Sequence, residues 1–262
     1  MFRVKFLLTA ILLVLPVSNV FAEGRSLEKL DQIADEALQL VKSDRIPETA
    51  SVLKYFSSQF LSMTPKDYPF SMDEQRTITV SQQEALRTVQ STSTPLKDKI
   101  SAVTTFRLLI DAISSNHQPM WTEMEGRMME TFNSAEEALR KNDREKFEED
   151  FSQLLSEYSL IHPSLQVDIA PEKIQKVDAK FSYMQQYDPL AMEAENTPEE
   201  MEALRGDLKS IFEEVKKDET DPSLWWVMIS TGSIIILTLS YVGWRKYIGS
   251  KESENTRKER ND

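Results

Sequence analysis

Apolar residues recur at every third or fourth position over most of the chain between residues 26 and 215, which is the spacing of one face of an α-helix. This pattern predicts eight helices, and proline or capping residues mark most of their starts. Their predicted extents are Ser26 to Asp44, Pro47 to Met63, Ser71 to Gln90, Thr94 to Ile113, Pro119 to Leu139, Asp143 to Tyr158, Pro171 to Gln186 and Thr197 to Val215. The sequence therefore indicates an all-α fold.

Two helix starts carry specific capping signals. Ser71 and Glu74 have the spacing of a capping box, in which each side chain bonds the backbone N–H of the other residue. Thr94 precedes Pro95, so the threonine is predicted to cap the fourth helix. The fifth helix has the most regular apolar stripe and is expected in the core, with Trp121, Met124, Met128, Phe132, Ala135 and Leu139 on its buried face.

The stretch between the sixth and seventh helices has a different pattern. Leu165, Val167 and Ile169 alternate with other residues, and Pro163 and Pro171 stand on either side. Alternation is the period of a strand, and proline favours extended backbone in the residue before it. We therefore expect residues 162 to 171 to form an extended strap across the helices.

A similar short sequence occurs twice, each time at a predicted hairpin turn. ADEAL at residues 34–38 is followed by KSDR at 42–45, and AEEAL at 135–139 is followed by KNDR at 141–144. The similarity of these two segments is explained either by duplication of a four-helix unit or by the recurrent chemistry of acidic helix ends. The hairpin spacing is similar to that of tetratricopeptide repeats, although the glycine and tyrosine of that motif are missing. The predicted architecture is therefore a set of antiparallel helical hairpins, in a TPR-like bundle or solenoid.

A long apolar segment lies near the carboxyl end of the chain. Residues 225 to 244 carry no charged side chain, and a helix of this length covers about 30 Å, the thickness of a bilayer's hydrocarbon core. We therefore expect residues 223–244 to be one transmembrane helix, with a buried core helix as the alternative. Its expected anchors at the membrane interfaces are Trp225, Trp226, Trp244, Arg245, Lys246 and Tyr247.

Four small residues of this segment, Gly232, Ser233, Ser240 and Gly243, fall on one arc of a helix. Such a face lets a second helix approach closely, so self-association through this segment is a hypothesis. In the alternative interpretation, the hydroxyl groups bond carbonyls of their own helix and the face contacts lipid.

The chain begins like a secretory signal peptide. Arg3 and Lys5 precede an apolar run that ends at Val17, and Ala22 completes a suitable cleavage site. Residues 1–22 are therefore predicted to be cleaved, with an uncleaved signal anchor as the alternative. Basic residues are concentrated after the apolar segment, so residues 245–262 are expected to be a cytoplasmic tail. The expected protein crosses the cell membrane once, with residues 23–222 as an extracytoplasmic helical domain or as two halves, 23–117 and 118–222.

Residues 23–222 are strongly acidic and hold 39 Asp and Glu against 23 Lys and Arg. This charge disfavours nucleic acid and anionic lipid surfaces as partners. The chain has no cysteine, which excludes disulfides, thiolate catalysis and cysteine metal sites. Only three of its six glycines lie in this region, each one isolated, so no phosphate-binding glycine loop is present. We expect neither a cofactor nor a metal ion.

Residues that could carry catalysis are scattered. His117 and His162 have no second imidazole or HExxH-type partner nearby in sequence, and we expect both at the surface. Ser26 with Lys29, and Ser51 with Lys54, have the spacing of a serine–lysine pair, but the other elements of that enzyme class are absent. The acidic run from Glu145 to Asp150 is expected on a solvated face. No catalytic residue is therefore predicted.

The carboxyl-terminal segment resembles a known family. DPSLWW at residues 221–226, STGSIII at 230–236 and YVGWRKY at 241–247 are similar to the end of the sporulation protein YpjB family of spore-forming bacilli. The signal peptide, the cysteine-free acidic helical region and the short charged tail are similar as well. The resemblance implies a role in endospore formation within the membrane of the sporulating cell, and it implies no reaction.

The predicted function is that of a non-enzymatic helical module, held at the outer face of the membrane, where its grooves bind an unidentified protein partner. One alternative is a cell-wall or peptide-processing enzyme, which would need a deep pocket with converging carboxyl groups of raised pKa. Another is a sensor, although the charged tail after Trp244 is too short to fold into an output domain.

Overall fold

The structure is a computed structural model that describes residues 21–63, 70–115, 118–186, 197–218 and 228–242. Every regular element within these ranges is helical, so the predicted all-α class is confirmed. The helices are α1 (Phe21–Lys42), α2 (Ile46–Ser62), α3 (Met72–Gln90), α4 (Leu96–Ser114), a 3₁₀ helix (Met120–Glu123), α5 (Met124–Arg140), α6 (Arg144–Asp168), α7 (Pro171–Gln186), α8 (Thr197–Asp218) and α9 (residues 228–242). The chain divides into two compact units, one ending at Val215 and one beginning at Lys216.

Of the two specific caps, one is confirmed and one is wrong. The N–H of Glu74 donates to Ser71 Oγ at 3.2 Å and the N–H of Ser71 donates to Glu74 Oε2 at 2.5 Å, which completes the capping box of α3. Pro95 instead of Thr94 is the N-cap of α4, and no side chain caps that helix. Thr94 lies one residue too early in the chain, and its hydroxyl donates to Ser91 Oγ at 2.7 Å.

The predicted strap over residues 162 to 171 is wrong. Helix α6 continues to Asp168 with Pro163 inside it, and Ile169 after its end is extended, with φ −118° and ψ 143°. A proline inside a helix costs about 3 kcal/mol, because one backbone hydrogen bond is lost and the ring crowds the preceding turn. Ile161 and Leu165 on this part of α6 are nonetheless buried, and burying two such side chains offsets that cost.

Helices α1 to α4 form a four-helix bundle. Helix α1 packs against α2 and α4, and α3 packs against the same two helices, so the four elements close into a ring. The short connections make consecutive helices antiparallel. Apolar side chains from all four helices fill the space between them, and Phe56 meets Phe106 edge to face with ring centroids 4.8 Å apart.

Helices α5 to α8 pack around a second core. Helix α6 contacts α5 and α7, and ion pairs attach α8 on both sides. Arg205 pairs with Glu136 of α5, while Asp207 accepts from Lys180 of α7 at 2.9 Å. Large side chains from every one of these helices and from the 3₁₀ helix lie in one cluster, including Trp121, Phe132, Phe151, Phe181 and Phe212.

Helix α4 joins the two cores, because it also packs along α6. Leu109 and Ile110 belong to the first cluster, whereas Leu108 and Ala112 belong to the second. Val167, at the end of α6, touches both clusters. The two cores are therefore held against each other within one compact unit.

The repeated sequence lies at two turns with the same geometry. Asp44 between α1 and α2 has φ 56°, and Asn142 between α5 and α6 has φ 53°. In each turn the next residue donates five residues back, from Arg45 to the Leu40 carbonyl at 3.0 Å and from Asp143 to the Ala138 carbonyl at 2.9 Å. This is the bond of a Schellman C-cap. Counted from the two turns, the buried positions coincide as Thr49 with Phe147, Leu53 with Phe151, Phe56 with Leu154 and Phe60 with Tyr158.

A polar cluster lies where the two bundles meet. Arg107 of α4 is buried and donates to Asp31 Oδ1 at 2.8 Å, while Asp111 accepts the N–H of Met120 at 2.7 Å. Burial raises the pKa of Asp111, although the Met120 N–H and Arg107 act in the opposite direction. The indole N–H of Trp121 donates to Asp168 Oδ2 at 2.6 Å. Burial raises the pKa of Asp168 to about 6 despite this bond.

Replacing Asp44 with glycine should raise the free energy of unfolding by about 0.5–1 kcal/mol, because glycine adopts a positive φ without the steric cost that a Cβ brings. Urea unfolding followed by tryptophan fluorescence measures the change. Glu36→Gly is the matched control, since Glu36 is exposed within α1 and glycine there should cost about 1 kcal/mol. A loss of stability in Asp44→Gly would contradict the turn geometry.

The Asp168 carboxyl should make the protein less stable as the pH rises through 6. Its folded pKa of about 6 exceeds the ordinary value of 3.8, so the folded state holds a proton that the unfolded state releases, and the resulting stability, present at pH 4, is lost above pH 6. Asp168→Asn should remove this dependence. The free energy of unfolding of the variant, relative to that of the wild type, should therefore rise by about 1–3 kcal/mol between pH 4.5 and pH 7.5. Urea unfolding across that range measures it. The exposed Asp98→Asn is the control, and equal pH slopes for wild type and Asp168→Asn would refute the assignment.

Candidate functional site

An open trough of about 680 Å³ lies between α3 and α6. Helix α4 contributes two residues between these two walls. The residues that line the trough are Asp73, Arg76, Thr77, Val80, Ser81 and Glu84 of α3, Ala102 and Thr105 of α4, and Ser159, Pro163 and Gln166 of α6. It opens to the surface and is larger than the cavity of about 180 Å³ at the meeting of the bundles.

The α3 wall of the trough has helical periodicity. Its six lining residues recur at intervals of three and one, which places them on one face of the helix. The opposite side of α3 carries Ile78, Ala85 and Val89, which are buried in the first bundle. Val80 is 57% exposed in the trough, although an apolar side chain at such a position usually packs against another helix. Helix α3 therefore presents to the trough a mainly polar face with one exposed apolar side chain, that of Val80.

The α6 wall contains an interrupted backbone. Ser159, Pro163 and Gln166 follow one another at intervals of four and three, so they also share a face. Proline has no N–H, and the Ser159 carbonyl therefore lacks the donor that residue 163 would supply in an uninterrupted helix. The Ser159 hydroxyl donates to the Leu155 carbonyl at 2.8 Å. This wall thus combines an exposed hydroxyl, a proline ring and an amide side chain.

The charges of the trough are unevenly satisfied. Arg87 binds Glu84 at 2.7 Å, and hydrogen bonding from this guanidinium lowers the pKa of Glu84. Asp73 and Arg76 are exposed, and neither forms an ion pair within the part of the chain that the structure describes. One carboxylate and one guanidinium, one helical turn apart, are consequently available to a ligand.

A smaller cavity of about 180 Å³ lies at the meeting of the bundles. Its lining combines apolar side chains with two carboxyl groups, those of Glu74 and Asp168. Asp168 is held by Trp121 and has the raised pKa described above, and the nearby carboxylates of Asp111 and Glu74 contribute to it. This acid cavity is the feature that corresponds to the enzymatic alternative.

The remaining sequence candidates are dispersed. His162 is only part-buried, and its Nε2 lies 3.2 Å from Asp178 Oδ2. The Asp178 carboxylate also accepts a hydrogen bond from the Tyr158 hydroxyl at 2.8 Å. His117 and the Ser26 side chain lie outside the described residues. Lys29 donates to Gln59 Oε1, and Ser51 donates to the Pro47 carbonyl. Across the described ranges, no group of three or more His, Cys, Asp or Glu side chains is placed to hold a metal ion.

The expectation of a solvated face for residues 145 to 150 is wrong at Asp150. This side chain is buried, accepts the Ser134 hydroxyl at 2.6 Å and pairs with Lys146 at 2.8 Å. It lies three residues after Phe147 and one before Phe151, so it shares their side of α6 and faces α5. The acidic run is thus partly structural.

Sequence reasoning also missed a buried acid between α5 and α6. Glu157 is 1% exposed, and its Oε1 accepts from Arg127 at 2.8 Å, Gln153 at 3.0 Å and Thr131 at 3.3 Å. Its Oε2 is buried and has no hydrogen-bond partner. The only signal of this burial in the sequence is that Glu157 directly precedes Tyr158, an aromatic residue of the predicted sixth helix.

The small residues Gly232, Ser233 and Ser240 lie on α9, where a Cβ added to Gly232 would meet nothing within 4 Å. The apolar side chains of α9 are exposed, for example Ile236 at 65% and Leu237 at 68%. Among the residues described, no helix has both the length and the apolarity needed to cross a membrane. The other predicted membrane residues lie outside the described ranges: Trp225, Trp226, Gly243, Trp244, Arg245, Lys246 and Tyr247.

Most of the chain is similar to known proteins. The family model described as Sporulation protein YpjB matches residues 27–256. The uncharacterized protein YpjB of Bacillus subtilis (strain 168) is 34% identical over 232 residues, which cover 88% of this chain and 88% of that protein. No solved structure matches. The matched range begins within α1 and extends beyond α9, so it covers nearly all of the described helices. This chain therefore belongs to the sporulation protein YpjB family.

Proposed function

We propose that this protein is a non-enzymatic, membrane-anchored helical module that supports endospore formation by binding a protein partner in the trough between α3 and α6. The observation that carries the proposal is the trough itself, an open groove walled by two helices that the other described residues leave uncovered. The family description supplies the connection with sporulation.

Anchoring in the membrane is part of the proposal. It is supported by the uncharged run of residues 225–244, by the basic residues that follow it, and by the exposed apolar side chains of α9. The apolar run near Phe6 and the site at Ala22 support export of residues 23–222. In this arrangement the trough is presented at the outer face of the cell membrane and residues 245–262 are cytoplasmic.

The trough favours binding over catalysis. Its lining has no histidine or lysine, and its two free charges are exposed to solvent, whereas an active site usually holds titratable groups in a sheltered pocket. An extracytoplasmic enzyme is a second candidate, and the raised pKa of Asp168 beside Glu74 is the observation that favours it. The acid cavity of about 180 Å³ is small for a cell-wall peptide or glycan.

Filling the trough should reduce the number of heat-resistant spores. Val80→Glu places a charge on an exposed site, so folding should be unaffected while an apolar contact with the partner is lost, and Ala102→Trp should occupy the trough. Each variant is returned to a strain that lacks the gene, and spore counts are compared with the wild-type gene and with the empty strain. A loss of about 1.4 kcal/mol of binding free energy corresponds to a tenfold weaker complex, and we expect the spore counts of both variants to fall clearly below those of the wild type.

The matched control is Gln83→Glu, because Gln83 is exposed on α3 but does not line the trough. Its spore counts should equal those of the wild type. Wild-type counts for both trough variants, at normal protein levels, would remove the trough from the function. Unchanged counts in the empty strain would remove the requirement for this protein in spore formation.

The small face of the apolar segment should bring copies of the chain together. Gly232→Leu combined with Ser240→Leu widens this face, so cross-linking between copies in membranes should fall at least fivefold, because close helix approach needs small residues. Ile234→Leu, on the opposite side of α9, is the control and should change nothing. Equal cross-linking in all three proteins would show that these residues face lipid.

A further inference from the structure

The start of α3 and the end of α6 meet at the acid cavity, which both helices line with a carboxyl group. We propose that this contact is a pH-sensitive latch, closed while the Asp168 carboxyl is protonated and opened locally when it ionises opposite Glu74 and Asp111. The latch concerns how two helices are held together and not what the trough binds, so its test is separate from that of the proposed function.

The acid cavity is bounded by the same three helices as the trough. Its lining consists of Phe70, Glu74, Ala112, Ile113, Val167 and Asp168. Asp73 and Gln166, which are close neighbours of these residues on α3 and α6, line the trough. The two helices also contact each other directly. A separation of α3 from α6 at the cavity would therefore alter the spacing between the trough walls.

The partly buried carboxyl of Asp168 has little to compensate a negative charge. Within the described part of the chain its one hydrogen bond comes from the indole N–H of Trp121, at 2.6 Å, and it forms no ion pair. A buried carboxyl with a single neutral donor favours its protonated form. The raised pKa of Asp168, about 6, agrees with this geometry.

The groups that act on Asp168 from the neighbouring elements are acidic. Glu74 of α3 and Asp111 of α4 both disfavour its ionised form. Glu123 of the 3₁₀ helix adds a negative charge near Asp111. When Asp168 loses its proton, like charges therefore face each other across the contact between α3, α4 and α6.

The cations around the latch are engaged elsewhere. Arg107 is shared among three carboxylates, those of Asp31, Asp35 and Asp111. On α7, which follows Asp168 in the chain, Lys173 pairs with Glu214 at 2.9 Å. Among the described residues, no Lys or Arg is thus paired with Asp168 when it ionises.

The direction of the pH effect follows from the two states of the latch. When α3 and α6 separate, water reaches the Asp168 carboxyl and its pKa returns to the ordinary value of 3.8. The closed state then holds a proton that the open state releases, so opening becomes more favourable as the pH rises from 4 to 6 and levels off above 6. Between pH 4.5 and pH 7.5, the opening equilibrium should increase about ten- to thirtyfold.

The test is hydrogen–deuterium exchange of the full-length chain in lipid nanodiscs at pH 4.5 and pH 7.5, read by mass spectrometry and corrected for the intrinsic exchange rate at each pH. Peptides covering residues 70–76, 119–124 and 165–170 report on the latch, and their protection should fall about ten- to thirtyfold at the higher pH. The turn at residues 40–46 is the control for local opening without Asp168, and its protection should not change.

Urea separates local opening from global unfolding, on which Asp168 also acts. Below the unfolding transition, exchange of the latch peptides should depend only weakly on urea, because little surface is exposed when the latch opens. Exchange of residues 53–57, in the first core, should depend on it steeply. Equal urea dependence in both places would show that Asp168 acts only on global stability and would overturn the latch.

Three substitutions assign the effect to named groups. Asp168→Asn keeps an oxygen that can accept the Trp121 indole N–H but cannot ionise, so its latch peptides should lose their pH dependence. Glu74→Gln removes the opposing charge, while glutamine still suits a capping box, so the increase in opening should be smaller than in the wild type. The exposed Asp98→Asn should behave as the wild type.

The latch would be overturned by pH-independent exchange of the wild-type latch peptides, and equally by an undiminished increase in Asp168→Asn. An unchanged increase in Glu74→Gln would remove the opposing charge from the latch and so contradict the proposed geometry. The spore counts of Val80→Glu test only the proposed function. Wild-type counts for that variant would reject the trough as a binding site whichever way the exchange experiment turns out.

Discussion

Helix α4 is the element on which the rest of the structure depends, because it must satisfy two cores at once. Most of its residues from Val103 to Ala112 are buried, whereas a helix at the edge of a bundle buries only one stripe. Arg107 is among the buried residues, and Asp31 and Asp111 compensate its charge. A buried guanidinium is tolerated only with such partners, since an unpaired charge in a protein interior is strongly destabilising.

The position of α4 also explains why the trough exists. Helices α3 and α6 both pack on α4, but they contact each other far less closely than either contacts α4. The space between them therefore stays open where Ala102 and Thr105 of α4 are too small to fill it. Pro163 stands on one side of this space, and the exposed Val80 on the other. The site is thus a product of how two bundles share one helix.

Much of the fold could be predicted from the sequence, because apolar periodicity and caps are local signals. The capping box at Ser71 and the proline near the start of α2 mark helix starts without reference to the rest of the chain. The extent of α6 could not be predicted, since Pro163 is a local signal for a break and only burial of Ile161 and Leu165 opposes it. The trough could not be predicted either, because Thr77, Ser81 and Ser159 come to line one groove only when two helices that are distant in sequence are brought together.

The buried carboxylates of α6 fix the register of this helix along α5. Asp150 meets Ser134, and seven residues further on Glu157 meets Thr131 and Arg127, in the opposite order along the two antiparallel helices. A shift of the hairpin by one turn would keep apolar side chains in contact but would separate both acids from their partners on α5. Since a buried polar group that loses a hydrogen-bond partner is destabilising, such misregistered hairpins are disfavoured. Apolar packing gives this hairpin its cohesion, and the two acids give it its register.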